Sequence, residues 1–101
     1  MPSAIEFKRP WGYYVVLYED ISYKVKMLHL NPHSATSMQR HERRNETWIW
    51  PARAGLPTRT EYHPACQWHQ LRNDTEQPMR VIEVQTGAYF GEDDIERATV
   101  K

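Results

Sequence analysis

The chain contains a single cysteine, Cys66, so no disulfide can form within it and a reducing compartment is the simpler expectation. It has no excess of charge of either sign: Lys plus Arg number 13 and Asp plus Glu number 13, interspersed rather than blocked. Nothing in that balance draws the chain to nucleic acid or to an anionic membrane. Long apolar runs are missing too. None approaches the roughly 20 residues that a membrane-spanning helix needs, and Met1–Lys8 lacks the apolar stretch of a signal peptide. The expectation is a cytoplasmic protein with neither nucleic acid nor membrane as partner. Helical periodicity is weak everywhere, and there is no internal repeat or low-complexity segment.

What is present fits one small strand-rich domain. The 101 residues suffice for a single core. Seven prolines, four tryptophans and six tyrosines accompany few aliphatics, so aromatic rings must supply much of the buried area. Tyr and Trp also favour interfaces, and a homodimer is expected.

Arg9-Pro10-Trp11-Gly12 reads as a loop or turn, Tyr13–Tyr18 and Ile21–Leu30 as strands, and Asn31-Pro32 as a stop followed by a turn at His33–Thr36. Ser37–His41 is extended and Glu42–Asn45 forms a charged turn. Glu46–Trp50 is a strand that Pro51 ends, and Pro51–Pro57 is a connection. Thr58–Tyr62 is a short strand, His63–Trp68 a turn, and His69–Arg72 extended. Met79–Thr86 is a clear strand, and Gly91–Arg97 makes at most one terminal helical turn. Many short strands between frequent turn signals indicate a sandwich or barrel.

Gln39 and His41 stand two apart on an extended segment, so both side chains share a face. Glu46 follows a turn that can return its carboxylate beside them, and His69 comes from a separate strand-like segment. Two imidazoles, a carboxylate and an amide oxygen form a mixed donor set. Such a set suits one divalent transition metal (Zn²⁺, Fe²⁺, Mn²⁺, Co²⁺ or Ni²⁺) and suits Ca²⁺ or Mg²⁺ poorly. Spacing alone is a weak signal and favours solvated turn residues at His41 and Glu46.

Five segments add context. Arg9-Pro10-Trp11-Gly12 and Tyr23-Lys24-Val25-Lys26 resemble the opening "RPWG…YKVK" of the cupin domain of bacterial mannose-6-phosphate isomerases, which is also the C-terminal part of bifunctional mannose-1-phosphate guanylyltransferases. Ser37–His41 with Arg44–Trp48 resembles that family's "SLQMHHHRAEHW", and Pro64–Asn73 its "PAGTPHRLEN". Ile82–Ile95 is nearly its "IEVQSGEYLGEDDI". The resemblance implies a single all-β cupin domain over residues 1–101, a minimal or truncated jelly-roll barrel. It places the family's metal ligands on Gln39, His41, Glu46 and His69.

The departures lie around these positions. Glu42, Arg43 and Thr47 replace family histidines, while His33 and Cys66 replace turn glycines, which implies altered turns. The stretch from Glu46 to Pro64 is shorter than the family's, which implies a lost hairpin and a more open barrel mouth.

For function, the resemblance implies a sugar-phosphate ligand and aldose–ketose isomerisation. The general base is open among Glu83, Lys24, Lys26, His63 and Arg97, and Lys26 and Arg97 are candidates for the phosphate. Other metal-dependent chemistry, such as iron oxygenase activity, or a non-catalytic sugar- or metal-binding module are the alternatives. Trp48 and Trp50 share the parity of Glu46 and should point inward with it. Trp68 is expected to cap the pocket mouth, Cys66 to be a buried inert thiol, and Asn73 to bond its own turn.

Overall fold

The computed structural model describes residues 5–53 and 55–98, so the ends of the single-domain range and Ala54 of the Pro51–Pro57 connection fall outside it. Among the described residues there are ten strands: β1 (Phe7–Arg9), β2 (Gly12–Glu19), β3 (Tyr23–Leu30), β4 (Ser34–Ala35), β5 (Gln39–His41), β6 (Arg44–Trp50), β7 (Arg59–His63), β8 (Arg72–Asn73), β9 (Met79–Gly87) and β10 (Ile95–Arg97). The only helical element among the described residues is a 3-10 turn at Glu92–Asp94. No helix there is long and apolar enough to cross a membrane.

Six strands form one antiparallel sheet in the order β1-β2-β3-β9-β6-β7, while β5 pairs with β10 and β4 with β8. Parity decides which face is buried. Along β6 the even residues Arg44, Glu46, Trp48 and Trp50 are buried and the odd ones are not, as alternation requires. Along β3 the buried set is Lys26, Leu28 and Leu30. Leu28, Leu30, Trp48, Trp50, Leu71 and Val81 form the apolar cluster, each contributing roughly 1.5–3 kcal/mol by leaving water. Leu71 reaches it from beside the β4/β8 pair, which two bonds between Thr36 and Leu71 extend and which Asn73 ties to the Leu30 carbonyl at the end of β3.

Asn73 locks this junction. Fully buried, its amide donates to the carbonyls of Leu30, Asn31 and Gln77 and its oxygen accepts from Thr75. It bonds its turn, as expected from the sequence.

Several expectations need correction. Arg44 belongs to β6, so the turn before it is tighter than the Glu42–Asn45 segment suggested. The terminal segment is more than one helical turn, because β10 pairs with β5 in the register Ile95↔His41 and Arg97↔Gln39. Phe7–Arg9 pairs with β2 as an additional edge strand. The shortened stretch after Glu46 still forms a hairpin, with β6 and β7 paired from Glu46↔His63 to Trp50↔Arg59.

His33 (φ 52°) and Cys66 (φ 70°) keep a left-handed backbone without glycine. Each L-residue there costs about 1–2 kcal/mol.

Candidate functional site

The inner face of the large sheet is apolar toward one end and polar toward the other. The register produces this division. Lys26 pairs with Glu83 across β3 and β9, and Glu83 pairs with Trp48 across β9 and β6, so the three stand in one row. In the next row Glu46 of β6 is opposite Gln85 of β9. Lys26, Glu46, Glu83 and Gln85 are all buried, a costly arrangement unless the groups are paired or have a task.

Across from that face, β5 and the segment before β8 bring in two imidazoles. Gln39 and His69 exchange backbone hydrogen bonds at 2.9 and 2.8 Å, which fixes His69 beside β5. The left-handed turn at Cys66 completes the clamp: its N–H donates to the His41 carbonyl at 2.6 Å. His69 Nδ1 lies 3.0 Å from the carbonyl of Gln67 in the same turn.

Glu46 is the hub. Its Oε2 lies 3.1 Å from His41 Nε2 and its Oε1 lies 3.2 Å from His69 Nε2. The three side chains are buried, with ligand atoms within 4.8 Å of one another. The donor chemistry fits a transition metal. With the proton of His69 on Nδ1, facing the Gln67 carbonyl, the Nε2 lone pair is directed inward, the arrangement metal-binding histidines use. Gln39 lines the same cavity. Its amide nitrogen donates to Ser37 Oγ at 2.9 Å, so its oxygen is the group suited to a metal.

Glu83 stands beyond Glu46. Trp48 Nε1 donates to Glu83 Oε2 at 3.1 Å and to Glu46 Oε1 at 3.3 Å, and Gln85 Nε2 donates to Glu83 Oε1 at 2.8 Å. Burial, followed by the nearby Glu46 carboxylate, pushes the Glu83 carboxyl up to about 8. Glu46 moves the other way. Burial opposes its charge, but hydrogen bonds with His41 and His69 and the Arg44 charge outweigh that and hold it well below the usual carboxylate range. Burial would depress His69, but the Glu46 carboxylate outweighs it and raises the imidazole. Lys26 is lowered by burial, against the pull of Glu83, and its Nζ sits 4.5 Å above the Tyr14 ring.

These groups surround a cavity of about 350 Å³ lined by Gln39, Arg44, Glu46, His69, Lys26 and Glu83 among others. The structure therefore brings together the four expected ligand positions and Lys26 with Glu83. Arg97 lines the cavity from exposed β10, at the rim. Lys24 does not line it; its ammonium is 3.9 Å from Glu19. His63 also stays outside, tilted at 48° against Trp48 with 4.1 Å between ring centres.

Trp68 does not line the cavity it was expected to cap; it is 41% exposed and carries the Arg40 guanidinium over its ring. Cys66 is exposed rather than buried, because the left-handed turn projects it outward. Sequence reasoning missed Arg44 and Gln85, although each stands two residues from an expected site residue on the same strand face.

A family model described as mannose-6-phosphate isomerase C-terminal matches residues 3–99. The chain is 36% identical over 106 residues to the alginate biosynthesis protein AlgA of Pseudomonas syringae pv. tomato, covering 94% of this chain and 22% of that protein. It is 34% identical over 103 residues to a mannose-1-phosphate guanylyltransferase of Klebsiella pneumoniae, covering 91% and 22%. The chain thus spans about a fifth of the length of these relatives.

Among solved structures, the capsular polysaccharide assembling protein CapF of Staphylococcus aureus superposes with a TM-score of 0.83 at 12% identity, over 97% of this chain and 35% of that one. A cupin-2 domain from Rhodospirillum rubrum gives 0.71 at 14% identity, over 96% and 75%. Such low identities speak for the fold alone, and the fold is the all-β cupin that the sequence motifs implied. With the family model spanning nearly the whole chain and the motif residues converging on one cavity, this chain belongs to the mannose-6-phosphate isomerase C-terminal family.

Proposed function

We propose that the chain holds one divalent transition metal through His41, Glu46 and His69, with Gln39 completing the set, and acts on a sugar phosphate by aldose–ketose isomerisation. The observation that carries this reading is the pairing of a buried His-Glu-His trio with a second buried carboxyl, Glu83, near neutral in its titration and on the wall of the same cavity. A metal bound there supplies Lewis acidity toward the oxygens on neighbouring sugar carbons.

Glu83 is placed to take a proton from one carbon and return it to the next. Burial raises this carboxyl and makes it a stronger base than an exposed one, as suits a group that must take a proton and then return it. Trp48 and Gln85 fix both its oxygens. Lys26, opposite Glu83 in register, offers positive charge to an oxygen that becomes anionic. Arg97 at the exposed rim suits the phosphate, since a guanidinium matches phosphate oxygens and a dianion is best left at the wet end of the cavity. The cavity has the size of small-molecule sites.

The test has two stages. Elemental mass spectrometry on protein purified without chelator or affinity nickel should find near one equivalent of a transition metal. The variant His41→Ala should lose the metal and stay folded, and undiminished metal content in it would sink the ligand assignment. Protein loaded with that metal should then interconvert mannose 6-phosphate and fructose 6-phosphate, and Glu83→Gln should stop turnover without releasing the metal. Metal uptake with sugar-phosphate binding but no turnover would reject isomerisation and leave a binding module.

A further inference from the structure

The positive charge of Arg44 is directed at the very atoms a metal would use. Its side chain is 3% exposed, and Nε lies 3.2 Å from Glu46 Oε2. One terminal nitrogen is 3.4 Å from His41 Nε2, and the other donates to the Phe90 carbonyl at 3.1 Å. The guanidinium is therefore held from both sides. Parity explains how it arrives there, since Arg44 is two residues before Glu46 on β6 and shares its buried face.

A guanidinium keeps its proton in proteins, so Arg44 presents a permanent charge to the position that suits a divalent ion. In the metal-free chain that charge is useful. A buried carboxylate without a counter-charge is strongly destabilising, and Arg44 supplies the counter-charge to Glu46. With an ion present the same charge is unfavourable, because like charges a few ångströms apart in a partly desolvated site repel strongly.

We infer that Arg44 is the metal's built-in competitor: it pairs with Glu46 beside His41 when no ion is bound, keeps the empty site folded, and sets ion affinity below what the trio alone would give. The inference rests on the metal reading above. Arriving metal must break or stretch the Arg44–Glu46 pair, while the Phe90 carbonyl retains the displaced guanidinium nearby.

The experiment is zinc titration of the wild type, Arg44→Gln and Arg44→Lys against a chelator of known affinity, with thermal unfolding recorded with and without zinc. Arg44→Gln should bind zinc at least about ten-fold more tightly, unfold at a lower temperature without zinc, and gain more from its addition. Arg44→Lys, which keeps the charge but not the fork, should fall between. In the wild type, zinc should move the Arg44 Nε–H resonance, a readout that holds even if Arg44→Gln does not fold alone. Unchanged or weaker zinc binding in Arg44→Gln, or an unmoved wild-type resonance under saturating zinc, overturns the inference and leaves the metal site standing. Zinc refused by all three proteins overturns the metal reading and this inference with it.

Discussion

Replacing Cys66 by glycine should make the protein more stable, and replacing it by valine should loosen the proposed metal centre. Cys66 sits at φ 70° with its thiol exposed, so the side chain contributes no buried packing. A left-handed L-residue costs about 1–2 kcal/mol, and glycine returns part of that through its greater freedom in the unfolded chain, about 0.5–1 kcal/mol. The net gain for Cys66→Gly is about 0.5–1 kcal/mol, or roughly 2–8 °C in midpoint for a domain of this size.

Valine, branched at Cβ, resists the same backbone. The turn must then open, and the Cys66 N–H bond to the His41 carbonyl weakens with it. Losing that bond adds about 1 kcal/mol to the strain, so Cys66→Val should fall at least about 2 kcal/mol below the glycine variant. Both histidines of the proposed ligand set hang on this turn, His41 through its carbonyl and His69 through Gln67. Supporting contacts of this kind are worth about 10–100-fold in metal affinity, so zinc binding should weaken about ten-fold in Cys66→Val and hold in Cys66→Gly. Calorimetric unfolding and zinc titration of the two variants check both halves. A glycine variant less stable than the wild type would refute the argument that this turn is strained.

Further tests address the buried charge and the core. The Glu83 carboxyl is raised from its ordinary 4.5 to about 8, so the folded state binds its proton more tightly than the unfolded chain does. Its contribution to stability is fully present below 4.5 and is lost as pH rises through 8, at no more than about 1.4 kcal/mol per pH unit and about 5 kcal/mol in total. Urea unfolding of metal-free protein at pH 6 and pH 9 should show the wild type losing several times more stability than Glu83→Gln. Equal losses would mean that Glu83 ionises freely in the fold. His69, raised by Glu46, loses its contribution in the same direction, so the variant's slope should be reduced rather than flat. Leu30 is fully buried in the apolar cluster, and Leu30→Ala should cost about 2–5 kcal/mol in urea unfolding; a loss below about 1 kcal/mol would mean that this end of the barrel collapses to fill the gap.

The strands that could be read from sequence were those with several alternating residues. The segments read as Ile21–Leu30, Glu46–Trp50 and Met79–Thr86 carry enough β-branched and aromatic positions to declare themselves. Strands of two or three residues do not. Ile95–Arg97 became β10 only because β5 offered it an edge far away in the chain, and three residues hold no periodicity from which to infer that. Arg44 was misplaced for a related reason: the charged run Glu42-Arg43-Arg44 looks like a solvated turn until pairing with β9 starts β6 two residues closer to His41.

The sequence by itself determined the donor set and its parity. Gln39 and His41 must share a face, and Glu46 must bring Trp48 and Trp50 inward with it, because alternation is a local property of extended backbone. Tertiary structure alone decided the rest. Which of Glu83, Lys24, Lys26, His63 and Arg97 would reach the cavity depended on the register of β3, β9 and β6, and a one-residue slip would have turned Glu83 and Lys26 outward. Cys66 and His33 were free to break the glycine pattern because the hydrogen bonds around a turn, rather than its residue types, hold it in place. The raised Glu83 and depressed Glu46 carboxyls exist only once two distant strands bury both acids in one polar end of the barrel, since neither desolvation nor a neighbouring charge is a property of a sequence position.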